Sequence, residues 1–350
     1  MNPITAPPPY VGAYSRPRFR PESEAPGLES LARHPGWGLV GLALLLGLVT
    51  VGCDRAGAPA SAESSRTRVA LVMKTLNSPF FLDMKRGAEE AARELGVELV
   101  AQAPERELDV EKQMQIVENL IQTRVDALCL TPSGSKELVP VVGKANRAGI
   151  PVLIVDTRLD EATVQADGVR YVSFIGSDNY EGGKLAGQHV ASLFPQPAQI
   201  AILEGIPGHE THDSRIRGFR DGLAGSPHLK IVASQPANAE RDQGFNVMQN
   251  LLQAHRDIAA VFASNDLMAL GALEAVSAAG RAGTIKILGF DATDEAREAI
   301  AAGRLEASVA QNPTAMGRLA VTKAVEALRG GTLPKSIPVS IELITNPRGQ

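Results

Sequence analysis

The chain has 350 residues, of which 44% are apolar and 21% charged, and its formal net charge is −4. That length holds two domains with their own cores, the composition is ordinary for a soluble globular protein, and the slightly acidic balance excludes the basic footprint of a nucleic-acid binder. Aromatic residues make up only 4%, so the few that fall near strand ends carry weight.

Residues 1–36 are rich in Pro and Arg (Arg16, Arg18, Arg20, Arg33) and show no apolar periodicity. The run GWGLVGLALLLGLVTVG follows and ends at Cys53. It is short for a membrane span and is preceded by basic residues, the pattern of a secretory signal. Residues 1–53 are therefore read as a signal segment, and the protein as exported to the periplasm or the outer face of the cytoplasmic membrane. Val51-Gly52-Cys53 resembles the lipobox of bacterial lipoproteins, with Thr50 departing from the Leu usual there. That resemblance implies a lipid on Cys53 as the sole membrane contact; a signal cleaved elsewhere and an incidental Cys is the alternative. Residues 54–67 are small and polar, as in a flexible tether. Cys129, inside the apolar run ALCL, is expected to be a small core residue rather than half of a disulfide.

From Arg68 onward strand and helix patterns alternate. Strand 69–73 precedes a helix with Ser78 as N-cap, Pro79 at its first position and Gly96 as terminator. Met84, Ala88, Ala91, Ala92 and Leu95 recur along it at helical spacing. Strand 97–100 with helix 111–123, strand 127–130 with helix 136–148, and strand 151–155 follow. The polar segment 157–171 is read as a surface excursion. Strands 172–175, 199–203, 231–234, 260–263, 285–289 and 307–310 then each precede a helical segment. Short runs of Val, Ile and Leu are the signature of parallel strands covered on both faces, and so many exceed one compact sheet. Two α/β lobes follow.

These strands end repeatedly in polar side chains or a glycine turn: Lys74, Thr131, Asp156, Glu204-Gly205, Asn265, Asp291 and Gln311. Ligands in open α/β sheets bind beyond the carboxyl ends of the strands, so these residues are expected to line a single cleft. No phosphate loop and no nucleophile elbow is present, and no cofactor is implied. Two cleft carboxylates could serve a glycosidase-like acid–base pair, but Lys, Arg, Asn and Gln beside them describe a binding site, and the chain is read as no enzyme.

The segments TLNSPFFLDMKRGAEEAARELG, GSDNYEGGKLAG, SQPANAERDQGFNVMQNLL, NDLMALGAL, GFDAT and VAQNP, collinear and at matching spacing, resemble the ribose- and allose-type periplasmic sugar-binding proteins, the type I solute receptors of ABC transporters. The resemblance runs from about Arg68 nearly to the C-terminus. It implies a type I periplasmic binding protein fold: two Rossmann-like parallel-sheet lobes, a three-segment hinge, and the ligand in the cleft between them. Carried over, one lobe is 68–177 plus 312–340 and the other 178–311 plus 341–347.

The same resemblance assigns ligand contacts to Lys74, Ser78, Phe80, Phe81, Thr131, Asp156, Ser177, Ile206, Arg215, Asn265, Phe290, Asp291 and Gln311. Asp156 and Asp291 accept from sugar hydroxyls through charge-assisted bonds. Arg215 holds adjacent hydroxyls or a ring oxygen with its fork, while Arg217 is left as an exposed helical residue. Phe81 stacks on an apolar sugar face and Phe80 flanks it. Asn265 donates and accepts at once, and Asp266 is expected to cap the following helix. Lys74 departs from the ribose-type and matches the allose-type. With Arg215 it balances the two aspartates, a neutral set suited to an uncharged polyol.

Other departures bear on which sugar fits. Ala239 replaces an aromatic wall, Ser78 replaces an Asn, and Thr157 replaces an Arg or Glu that the neighbouring Arg158 could substitute. His209 and His212 are read first as residues of a solvated loop, with ligand contact as the alternative. Their spacing misses the i, i+4 of a zinc helix, so no metal is assigned. The implied partners are a monosaccharide or polyol, and an ABC permease with its ATPase, served by a monomer. Docking on a chemoreceptor or sensor kinase is the alternative. A sugar-responsive transcription regulator would need a helix-turn-helix where the export signal stands.

Overall fold

The computed structural model describes residues 66–346. The signal and lipobox readings, with Cys53, and the tether as far as residue 65, lie outside them. Among the described residues the strands form two six-stranded sheets. The first contains β1 (Arg68–Val72), β2 (Glu98–Gln102), β3 (Ala127–Leu130), β4 (Val152–Val155), β5 (Ser173–Gly176) and β11 (Ser336–Pro338), in the order β11-β5-β4-β3-β1-β2. The second contains β6 (Ala198–Glu204), β7 (Leu229–Pro236), β8 (Ile258–Ala263), β9 (Lys286–Asp291), β10 (Ala307–Ala310) and β12 (Glu342–Thr345), in the order β12-β10-β9-β8-β6-β7. Strand order reverses between β1 and β3 in one sheet and between β6 and β8 in the other. Those are the switch points where a doubly wound sheet opens a crevice.

Every strand pairing is parallel except β10 with β12. The sequence pattern anticipates only parallel pairing, and β12 corrects it. The chain leaves β11 at the carboxyl edge of the first sheet and enters the second from the cleft side. It therefore runs opposite to strands that all point toward the cleft. Strand β11 itself escaped the sequence reading because Ser-Ile-Pro offers no apolar run.

Helix α1 (Pro79–Leu95) starts as expected at Ser78, in extended conformation, and stops at Gly96, whose left-handed φ of 70° no β-carbon favours. The Ser78 hydroxyl makes no capping bond. Apolar side chains of α1 and α10 (Pro313–Leu328) cover one face of the first sheet, Cys129 among the residues they bury. Burial pushes that thiol up to about 12, so it is inert at neutral pH. The 157–171 segment is more than a surface excursion. Leu159, Val164 and Val169 are buried, and the Asp160 carboxylate caps a one-turn helix, α4 (Glu161–Ala166), by accepting from the Thr163 amide. Three apolar residues five apart match neither the strand nor the helix period, which hid this.

Helices α5 (Asn179–Leu193) and α6 (Glu210–Leu223) cross so closely that a Cβ at Gly183 would overlap the Arg215 carbonyl, and one at Gly218 the Tyr180 carbonyl. This contact fixes the height of Arg215 above the second sheet. Gly218→Ala is expected to pry the pair apart at a cost of about 1–3 kcal/mol, read as a lower urea midpoint at constant slope; an unchanged midpoint would mean the pair yields freely.

Candidate functional site

The residues that follow β1 and β4 build one wall of the cleft. Lys74 lies two positions beyond β1, with its side chain 3% exposed. Its Nζ is 3.3 Å from Asp156 Oδ2 and 3.7 Å from Glu107 Oε2. Asp156 directly follows β4 at φ 62°, a left-handed conformation that Asp tolerates better than most residues. The turn aims its carboxylate inward. Gln113, fully buried, donates from Nε2 to the Met73 and Thr131 carbonyls and so bridges the ends of β1 and β3. Phe80 and Phe81, in the first turn of α1, meet edge to face at 5.1 Å.

The opposite wall grows from the second sheet. Arg215 lies over the Phe290 ring at 3.7 Å, donates from Nη1 to the Ser264 carbonyl at 2.7 Å, and from Nε to Asn179 Oδ1 at 2.8 Å. These bonds leave it 3.6 Å from Asp291 Oδ1, which accepts from Gln311 Nε2 at 2.8 Å. Asp291, the last residue of β9, holds φ 108°, strain of the kind stored at ligand sites. Burial pushes its carboxyl above the usual carboxylate range, Arg215 opposes, and Asp266 adds to the rise. Glu107 is likewise raised by burial, against Lys74.

Lys74, Ser78, Phe80, Phe81, Asp156, His212, Arg215, Asn265 and Asp291 together line one small cavity, nearly filled by their own side chains. Glu107 and Thr211 line it too and were not anticipated. Glu107 falls in the loop after β2, five residues past the strand end, where no run pointed to it. It makes three carboxylates against two cations, so the neutral set anticipated from the sequence is corrected. The two walls touch across the site: Thr157 Oγ1 lies 2.9 Å from Thr211 Oγ1, His209 Nε2 is 3.2 Å from the Pro132 carbonyl, and the Glu210 amide donates to Ser135 Oγ. The cleft is closed.

Other anticipated residues lie elsewhere. Thr131 is fully buried with its hydroxyl on the Met84 sulfur at 3.8 Å. Ser177 and Arg158 line a separate cavity, where the Arg158 guanidinium stacks 3.7 Å over Phe174. Phe290 is fully buried beneath Arg215. Gln311 reaches the cavity only through Asp291, and Ile206, half-buried, is outside its lining.

Capping of the next helix falls to Asn265 and not to Asp266. Asn265 is the N-cap of α8 (Asp266–Ala278), accepting from the Met268 amide, and its own amide donates to the Ala239 carbonyl. Asp266 is fully buried and accepts from Ser308 and Thr293, tying β10 to the start of α9 (Asp294–Ala301). Asn reaches its own helix's amides from the N-cap, whereas Asp266, one residue on, points across the sheet.

His209 and His212 are buried, not solvated, and their rings lie 5.2 Å apart. His209 is the N-cap of α6 and His212 lies in its first turn, among the buried residues of that helix. Among the described residues no group of three His, Cys, Asp or Glu side chains could hold a metal ion. Burial holds both imidazoles well below the ordinary histidine value, with Lys74 adding for His209 and the neighbouring His209 for His212. The unfolded chain takes up protons below about pH 6.5 that the folded chain refuses. The pair therefore contributes stability that is present above that pH and lost below it. Asp291, Asp266 and Glu107, raised by burial, act in the opposite sense. The histidine part is thus read as a difference: the stability gap between wild type and H209N/H212N is expected to narrow as the pH falls from about 7 to 5. A gap independent of pH would contradict it.

Comparison with known proteins agrees with this geometry. The family profile described as periplasmic binding protein domain matches residues 69–332. The chain belongs to this family. It is 37% identical to the ribose import binding protein of Bacillus subtilis (strain 168) over 277 residues, 79% of this chain and 87% of that protein. It is 36% identical to the D-ribose/D-allose-binding protein of Pseudomonas aeruginosa over 314 residues, 87% of this chain and 98% of that one. Among solved structures, the periplasmic solute-binding protein of an ABC transporter from Actinobacillus succinogenes 130z, with bound D-allose, superposes with a TM-score of 0.76 at 36% identity, covering 80% of this chain and 98% of that chain. These members of the periplasmic binding protein family are binding proteins and not enzymes, and the two α/β lobes of this chain share their fold.

Proposed function

We propose that the chain is the solute-binding component of an ABC sugar importer, and that its two lobes close on one neutral monosaccharide or polyol. The observation that carries this is the pair of facing ion pairs, Lys74–Asp156 and Arg215–Asp291, across a closed cavity bounded by Phe80 and Phe81. Carboxylates accept from hydroxyls, Lys and Arg donate to oxygens, and a ring covers C–H faces. The raised carboxyls of Asp291 and Glu107 make room for one proton in the unliganded site, which offsets the third carboxylate. An added phosphate or dicarboxylate would find no unpaired cation there.

The lobes we assign are 68–177 with 312–340, and 178–311 with 341–347, with three crossings that flex on closure. In this reading Cys53 carries the lipid anchor, residues 54–67 are the tether, and the closed form meets a permease and its ATPase. The import names of the relatives favour transport over docking on a chemoreceptor or sensor kinase. The test is a thermal-shift panel of D-ribose, D-allose, xylose, galactose, fructose, psicose, inositols and sugar acids. A ligand at 100 times its Kd adds about 2.7 kcal/mol to the folded state. A strong response to one uncharged sugar or polyol is expected; a response to acids alone, or turnover of a glycoside, would overturn the reading.

A further inference from the structure

Five buried side-chain atoms among the described residues have no hydrogen-bond partner: Ser133 Oγ, Ser177 Oγ, His209 Nδ1, His212 Nε2 and Gln311 Oε1. Of their residues, His212 alone lines the main cavity. Its ring has been given a seat. A Cβ at Gly205 would overlap the imidazole, so the bare backbone there is what lets the ring lie against the end of β6. Nδ1 lies 3.0 Å from Ser264 Oγ, and Ser264 is fully buried. With Nδ1 and Gly205 on the inner edge of the ring, Nε2 is the end left to meet the cavity.

The hydrogen bond to Ser264 also fixes which nitrogen carries the proton. The Ser264 hydroxyl has one hydrogen, and His212 is the partner of that hydroxyl in the structure. Were Nδ1 protonated, it would donate to Ser264, and the buried hydroxyl hydrogen would lack an acceptor, a costly arrangement. The consistent arrangement has Ser264 donating to Nδ1, which leaves the proton on Nε2. Burial keeps the ring neutral, so Nε2–H is a donor without positive charge.

We infer that His212 is a specificity-determining contact of the proposed sugar site, its Nε2–H donating to an acceptor oxygen of the bound ligand while Ser264 holds the tautomer. The three carboxylates of the cavity take hydroxyl protons; His212 reads an oxygen that must accept. A ligand lacking that oxygen would leave Nε2–H buried and unpaired, and such a site rejects the deoxy analogue more sharply than an apolar wall does.

This inference rests on the sugar-receptor reading, and the test separates the two. The strongest binder of the panel above is titrated calorimetrically into wild type, H212N and H212Q. Asn places a polar atom near Nδ1, keeping the Ser264 partner but not the donor; Gln reaches the Nε2 position. H212N is expected to bind about tenfold more weakly with an unliganded melting temperature near that of wild type, and H212Q to recover most of the affinity. Nitrogen-15 NMR of the wild-type imidazole is expected to show the proton on Nε2. Equal affinity of H212N and wild type would remove the contact, equal weakening of both variants would reduce the ring to packing, and a proton on Nδ1 would overturn the tautomer. If wild type binds no sugar of the panel, the receptor reading falls and this inference with it.

Discussion

Asp291→Asn is expected to abolish sugar binding while leaving the unliganded protein at least as stable as wild type. The carboxylate is the acceptor that β9 delivers to the cavity, and a hydrogen bond to a charged group is worth about 1.5–3 kcal/mol. A loss of about 100-fold or more in affinity follows if both oxygens meet hydroxyls. Stability moves the other way. Burial raises the Asp291 pKa in the folded state, so the folded chain holds its proton more tightly than the unfolded one. The group therefore carries a penalty that is complete above the raised pKa, is still present at neutral pH, and shrinks to nothing as the pH falls toward about 4. A neutral amide removes the penalty at neutral pH, and Arg215 keeps its bonds to Ser264 and Asn179. Calorimetry and thermal melts of the unliganded variant check the two halves. Unchanged affinity would show that the ligand does not touch Asp291.

Arg215→Met is expected to cost both binding and fold. The guanidinium is 4% exposed in its side chain and lies against Asp291, Asn179, the Ser264 carbonyl and the Phe290 ring at once. Met keeps the stem and the packing but orphans the Ser264 carbonyl and leaves Asp291 buried without its cation. Removing one member of a buried pair costs about 3–5 kcal/mol. Because Arg215 opposes the rise in the Asp291 pKa, its loss raises that pKa further, and the variant is expected to regain stability on acidification as Asp291 takes up a proton. Denaturant melts between about pH 5 and 8 test this. A deficit that does not shrink toward low pH would assign the loss to packing over Phe290 instead.

The carboxylate that sequence reasoning missed shows where pattern stops. Lys74, Asp156 and Asp291 were legible because each terminates an apolar run, and a parallel strand delivers its terminal residue to the cleft by construction. Glu107 terminates nothing: it reaches Lys74 because the loop after β2 folds over the switch point, which depends on long-range contacts. Thr131 and Ser177 obey the strand-end rule yet face away from the main cavity, since the rule gives the height of a residue along the sheet and not the direction of its side chain. For His209 and His212 the sequence showed a polar, glycine-bounded turn, which reads as solvent-exposed. The contact across the cleft with the Pro132 carbonyl accounts for His209, and the seat on Gly205 and Ser264 for His212.

The two α/β lobes, the strand-end placement of Lys74, Asp156, Asn265 and Asp291, and the helix start at Ser78-Pro79 are written in the local pattern of the chain. Period, capping and turn chemistry are local, and they act before any lobe meets another. The antiparallel return of β12, the third carboxylate at Glu107, the capping of α8 by Asn265 in place of Asp266, and the seating of His212 on Gly205 came only with tertiary contacts. The course of β12 depends on the chain's return from one sheet to the other, and the other three on how segments attached to one sheet pack together, which no residue records in its own stretch of chain.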